Sequence, residues 1–232
     1  MSEKKKVEAI RRLYAIPLEV GEVAFVYAGY SSIVCRLPNT TFGIDLGGYF
    51  KEVNALESLD LLCLTHHHRD HFDPKTTVAI LKATSADIVV EPDLAQQLEG
   101  KIPSEKLFSA HPGDSFKAGQ YEIRGVVGVH FGPITLFHIK YDDLSIFHAG
   151  DSGYIPLKDY PATLAFLPCG SPSPSCSPNQ ALQMAQDIQP RIAVAVHGNQ
   201  KERVLFSKLV GKDLPDTRVV IPEPYNPIKL AL

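Results

Sequence analysis

A short apolar run, Leu61-Leu62-Cys63-Leu64, leads straight into Thr65-His66-His67-His68-Arg69-Asp70-His71. A continuous apolar run of this length reads as a strand buried on both faces. It therefore carries a dense set of metal-binding side chains to the edge of a core. His66, His68, Asp70 and His71 form the pattern H-x-H-x-D-H. Residues two apart on an extended chain point the same way, so His66 and His68 can bind one ion together. Asp70 and His71 follow the end of the strand, where the chain turns, and can face a second ion. Neutral imidazole and carboxylate suit zinc, iron or manganese, and no thiolate is needed. The competing explanation is an incidental histidine-rich tract. An aspartate at this offset and an apolar strand in front both weigh against it. His67 falls on the opposite face from His66 and His68 and is expected at the surface or behind the ligands.

A chain of 232 residues with 44% hydrophobic composition can bury a sizeable interior. We expect one domain over 1–232, with a short amphipathic helix at about 4–14. The net charge of −3 shows no basic excess of the kind that advertises nucleic acid, although a local patch would still allow it. Lys4-Lys5-Lys6 and Arg11-Arg12 read as the solvated face of that first helix. No apolar stretch is long enough to span a bilayer, and the polar start has no signal-peptide core. Cys35, Cys63, Cys169 and Cys176 show no CxxC spacing, and a reducing, cytoplasmic location is expected. Cys35 and Cys63 lie in strand-like runs and read as buried thiols. Cys169 reads as a packed thiol ahead of a metal or substrate contact.

Strand patterns occur at Val23 to Tyr27, Ser32 to Arg36 and Thr41 to Asp45, with Pro38-Asn39 as a turn. Further strands are expected at Ile88 to Val90, Tyr121 to Val127, Ile134 to Lys140, Leu144 to His148, Leu164 to Leu167, Ile192 to Val196 and Arg218 to Ile221. Asp73-Pro74 and Ser177-Pro178-Asn179-Gln180 look like helix starts, and further helices follow Pro92 and run from about Glu202 to Leu209. Strand-rich stretches alternating with isolated helices suggest sheets sandwiched between helices. Pro168 to Pro178, rich in proline and serine, reads as an ordered loop near something useful.

Taken together, the histidine cluster and four further motifs resemble the metallo-β-lactamase superfamily over nearly the whole chain. Ile44-Asp45 resembles that family's early strand-ending aspartate, which supports the site. Thr65 to His71 resembles its signature, and Val129-His130 its next metal-binding histidine. Ala149-Gly150-Asp151 resembles the strand-ending Gly-Asp, and Val196-His197 the last histidine. The resemblance implies a four-layer αββα sandwich (α/β, α+β). It assigns His66, His68 and His130 to one metal, Asp70, His71 and His197 to the other, and Asp151 to a bridge between them. Two divalent transition-metal ions are implied, Zn2+ first, with Mn2+ or Fe2+ fitting the same donors. The rhythm of His111 to Phe116, Ile123 and His130, and of Phe147 to Tyr154, is most similar to the small single-domain ascorbate-6-phosphate lactonase-like branch. The chain departs from that branch at Val194-Ala195-Val196-His197-Gly198-Asn199 and at Pro168-Cys169-Gly170-Ser171-Pro172.

The activity so implied is hydrolysis of a small ester, lactone or phosphoester by a metal-bound hydroxide, with Asp70 as the catalytic residue that orients it. A metal-dependent phosphodiesterase or nuclease acting on RNA is one alternative, and a catalytically silent metal-binding protein is another. The expected partner is a small-molecule substrate, with no membrane and with homo-oligomer formation open. His148 is expected behind the ligands. His111 and His138 are expected to be structural or at the surface. Arg69 either meets an anionic substrate or is simply solvated.

Overall fold

Each strand-like run read from the sequence becomes a strand in a computed structural model, which describes residues 1–170 and 176–232. The strands gather into two seven-stranded mixed sheets. The chain divides into two compact units, residues 1–110 with 223–232, and residues 111–222.

The first unit contains helix α1 (Glu3–Ala15) and strands β1 (Glu22–Gly29), β2 (Ser32–Leu37), β3 (Thr40–Ile44) and β4 (Leu61–Leu64). It continues with α2 (Pro74–Thr84), β5 (Asp87–Val90), α3 (Pro92–Leu98), β6 (Leu107–Ser109) and, from the end of the chain, β14 (Ile228–Ala231). The sheet order is β14-β1-β2-β3-β4-β5-β6. It is antiparallel up to β3 and parallel from β3 to β6. Ala24, Val26, Val34, Leu62, Leu64, Ile88 and Val90 share one core with Ala9, Ile10 and Leu13 of α1, Ile80 of α2, and Leu94 and Leu98 of α3. The alternate residues Phe25, Cys35, Phe42, Leu61, Cys63 and Val89 are fully buried too, as strands that read as continuous apolar runs should be. Helix α1 ends where Arg36 Nη1 donates to the carbonyls of Leu13, Tyr14 and Ile16 at 2.8, 2.8 and 3.0 Å. Those are carbonyls that a helix end leaves without an internal partner. Asp73 caps α2 by accepting from Thr76 N–H at 2.8 Å, with Pro74 in the first turn.

The second unit contains β7 (Ser115–Ala118), β8 (Tyr121–Val127), β9 (Thr135–Tyr141), β10 (Leu144–His148), β11 (Leu164–Pro168), α4 (Pro178–Ile188), β12 (Ile192–Val196), α5 (Gln200–Asp213) and β13 (Arg218–Val220). Its sheet runs β13-β12-β11-β10-β9-β8-β7. Pairing is antiparallel from β7 to β10 and parallel from β10 to β13. Leu136, Phe147, Ala149, Ala165, Leu167, Ala193 and Ala195 pack with Ala181, Met184, Ala185 and Ile188 of α4 and with Phe206 and Val210 of α5. Both helices begin with a full capping box, Ser177 with Gln180 and Asn199 with Glu202.

Strands β6, β7 and β14 escape the sequence reading. β6 has three residues, β7 has four and only Ala118 of them is buried, and β14 is an edge strand from the far end of the chain. Helix α5 starts two residues earlier than its periodicity suggests, because Asn199 supplies the cap, and it runs four residues further, to Asp213. Among the described residues, no helix is long and apolar enough to cross a membrane.

Candidate metal centre

Every donor proposed from the sequence lies just beyond the carboxyl end of a strand. In the first unit β3 and β4 run parallel, so Asp45 and Thr65 leave the sheet side by side. Asp45 is fully buried and turns the chain at a left-handed φ of 52°. Its backbone N–H bonds Cys63 O at 2.9 Å. In the second unit β8, β10 and β12 all point the same way, so their carboxyl ends bring out His130, Asp151 and His197. Gly150 and His197 also sit at left-handed φ, 55° and 47°. A non-glycine residue there is uncommon and marks a turn held by its surroundings.

The Asp45 carboxylate organises the first donor set. Oδ1 accepts from Thr65 N–H at 2.8 Å, and Oδ2 lies 2.9 Å from Thr65 Oγ1 and 2.8 Å from His71 Nδ1. An ionised carboxylate only accepts, so His71 carries its proton on Nδ1 and keeps a lone pair on Nε2. Thr65 gives its hydroxyl proton to Asp45, and its oxygen accepts from His66 Nδ1 at 3.0 Å. His66 is thereby fixed in the same tautomer, with Nε2 as the electron-pair donor. Bonds of this kind are how metal-binding imidazoles are aimed and made more basic.

His66 and His68 offer ligand atoms within 4.8 Å of one another, as do Asp70 and His71. Burial, then the neighbouring His67, holds the His68 pKa below its ordinary value, which favours the neutral, metal-binding ring. His71 Nε2 lies 3.3 Å from Asp70 Oδ2. In the second unit His130 Nδ1 lies 3.4 Å from Asp151 Oδ1, and His197 Nε2 3.8 Å from Asp151 Oδ2. A lone pair on Nε2 facing a carboxylate oxygen is repulsive unless a proton or a cation stands between them. This donor set therefore fits divalent metal. Within each unit the proposed ligands are brought together.

Other expectations find their places. His67 and Arg69 are exposed, and His111 is a surface residue. His138 is buried, with Nε2 3.0 Å from Pro161 O. His148 is fully buried, and its Nδ1 accepts the N–H of Gly150 at 3.0 Å. It therefore shapes the turn that presents Asp151. All four cysteines are free and buried. Cys169 donates to Leu167 O at 3.3 Å, and burial raises its pKa, so it is the packed thiol expected. Burial likewise pushes Cys176 up to about 12. Of the Pro168 to Pro178 loop, residues 171–175 lie outside the described residues.

The sequence reading missed Gly47 and Gly48. A Cβ on Gly47 would lie 2.6 Å from His71 C and Phe72 N, and Gly48 N–H bonds Arg69 O at 2.7 Å. The glycine pair after the Asp45 turn was the available signal. Gly47→Ala must push the Asp70–His71 backbone away, so we expect a loss of about 1–3 kcal/mol. Urea unfolding checks this, and an unchanged midpoint would contradict it.

Residues 48–198 match the family model described as the β-lactamase superfamily domain. The chain belongs to the metallo-β-lactamase superfamily. A UPF0173 metal-dependent hydrolase of Exiguobacterium is 31% identical over 153 residues, covering 60% of this chain and 67% of that protein. In structure the chain resembles Igni18, a metallo hydrolase from Ignicoccus hospitalis, with a TM-score of 0.76 at 22% identity, covering 91% of this chain and 99% of that one. It also resembles YhfI of Bacillus subtilis, a metallo-β-lactamase fold protein, with a TM-score of 0.70 at 14% identity, covering 90% and 100%. The chain is thus a metal-dependent hydrolase of this superfamily, with the superfamily's two-sheet α/β fold.

Proposed function

We propose that the two donor sets act as one centre holding two divalent ions, zinc first. His66, His68 and His130 would hold one ion, Asp70, His71 and His197 the other, and Asp151 would bridge them. The observation that carries this reading is the 3.3 Å approach of His71 Nε2 to Asp70 while Nδ1 is committed to Asp45. Bound divalent ions supply an acidified water and Lewis acidity towards the substrate's oxygen. Asp70 accepts a hydrogen bond from the attacking water and orients it. Asp45 and Thr65 keep the His71 and His66 rings from turning, and His148 holds the turn carrying Asp151.

The substrate is a small ester, lactone or phosphoester, in keeping with the resemblance to the lactonase-like branch. A net charge of −3 supplies no excess of cations for gripping a nucleic acid. Residues 1–232 act as one domain, a reading supported by a family match that runs across both units. Four free cysteines fit a reducing, cytoplasmic location. A hydrolysis screen of metal-loaded protein against lactones, aryl esters, phosphodiesters, thioesters, β-lactams and RNA tests the reading. Turnover of a lactone or ester that chelation abolishes is the expected result. Cleavage of RNA alone would overturn it.

A further inference from the structure

The second unit holds a cavity of about 560 Å³ at the end of its sheet opposite the proposed donors. His130, Asp151 and His197 stand beyond the carboxyl ends of β8, β10 and β12. The cavity instead takes in Ser145 at the amino end of β10, Thr163 just before β11 and Arg191 just before β12. Hollows of this size are where small molecules bind.

One wall is a face of the sheet. Arg124 pairs with His138, His138 with Phe147, and Lys140 with Ser145 across antiparallel strands. Directly opposed residues share a face, so these side chains extend the face on which Phe147 packs with α4 and α5. The wall is firmly built. Thr163 N–H donates to Ser145 O at 2.8 Å, and the two hydroxyls lie 3.4 Å apart. The Arg124 guanidinium lies over the Tyr160 ring, 5.0 Å from its centroid.

Two observations point to a ligand. The first is His138, which lines the cavity although it is only 2% exposed. Its Nε2 lies 3.0 Å from Pro161 O. A carbonyl only accepts, so the proton is on Nε2 and Nδ1 is left as an acceptor. Burial above all holds the His138 pKa below its ordinary value, which keeps the ring neutral. Nδ1 is buried and has no hydrogen-bond partner. An unpaired buried acceptor is costly, so a ligand that brings it an N–H or O–H is favoured.

The second observation is charge. Arg124, Lys140 and Arg191 line the cavity together with Asp142, Asp143 and Asp159. None of the six forms an ion pair with another described residue. A ligand of one sign meets as many like charges here as opposite ones. A ligand carrying both signs can answer both sets.

We propose that this cavity binds a small zwitterion of amino-acid or dipeptide size. Its carboxylate faces Arg124, Lys140 and Arg191, its ammonium faces Asp142, Asp143 and Asp159, and an N–H donates to His138 Nδ1. This site does not depend on the reaction assigned to the metal centre.

The test is calorimetry on full-length, zinc-loaded protein with three probes: alanylalanine, its N-acetyl derivative and its C-terminal amide. They carry both charges, the negative charge alone and the positive charge alone. Alanylalanine should bind at least about tenfold more tightly than either blocked form. Lys140→Gln combined with Arg191→Gln should erase its advantage over the amide. Asp142→Asn, Asp143→Asn and Asp159→Asn together should erase its advantage over the N-acetyl form. All five side chains are exposed, and a thermal melt confirms that both variants fold. No binding at millimolar alanylalanine, or equal affinity for the three probes, overturns the proposal. So does binding that both sets of substitutions leave unchanged, and its loss in Asp70→Ala then places the dipeptide on the metal centre.

Discussion

Asp45→Asn is expected to weaken metal binding at the Asp70–His71 pair by about 10- to 100-fold with the fold retained. Asparagine tolerates the left-handed φ of 52° at this position, so the backbone has no reason to move. What changes is the hydrogen-bond polarity. One carboxylate oxygen becomes an NH2 group, and the side chain can no longer accept from both the Thr65 and His71 sides. If the amide oxygen serves Thr65, His71 moves its proton to Nε2 and loses the lone pair that faces Asp70. If it serves His71, the Thr65 relay to His66 fails instead. Competition with a fluorescent zinc indicator measures the loss, and a thermal melt separates it from unfolding. Unchanged zinc affinity would mean that Asp45 only builds the turn.

Asp70→Ala should lower kcat/KM by more than about a hundredfold, within the range lost when a positioned proton acceptor is removed. Its carboxylate is partly exposed on a loop, so the core loses no packing. His67→Ala should cost less than about tenfold. His67 is exposed, and no hydrogen bond ties it to the Asp45 relay in the way Thr65, His66 and His71 are tied. Steady-state kinetics on whichever ester or lactone the screen returns decides between them. Equal losses at the two positions would mean that the two faces of the histidine cluster are wrongly assigned.

The places of the proposed donors were legible in the sequence because strand endings are. An apolar run such as Leu61–Leu64 or Ile192–Val196 ends where a polar residue can first leave the core, and His66 and His197 stand at those points. Asp151 follows β10 in the same way. The relay Asp45–Thr65–His66 was not legible as a relay. It depends on β3 and β4 lying parallel in register, a long-range pairing that no local pattern encodes. The role of His148 was hidden for a different reason, since its bond to Gly150 depends on a left-handed φ at that glycine. Gly47 likewise looks like an ordinary turn residue until the Asp70–Phe72 backbone is seen against it.

Metal stoichiometry tests the central claim most directly. Protein stripped with a chelator, reconstituted with excess zinc, desalted and measured by elemental analysis should hold two ions per chain. Asp151→Ala should lower that number, because its carboxylate lies beside both His130 and His197. Reproducible saturation at one ion per chain, unchanged by Asp151→Ala, would contradict the account.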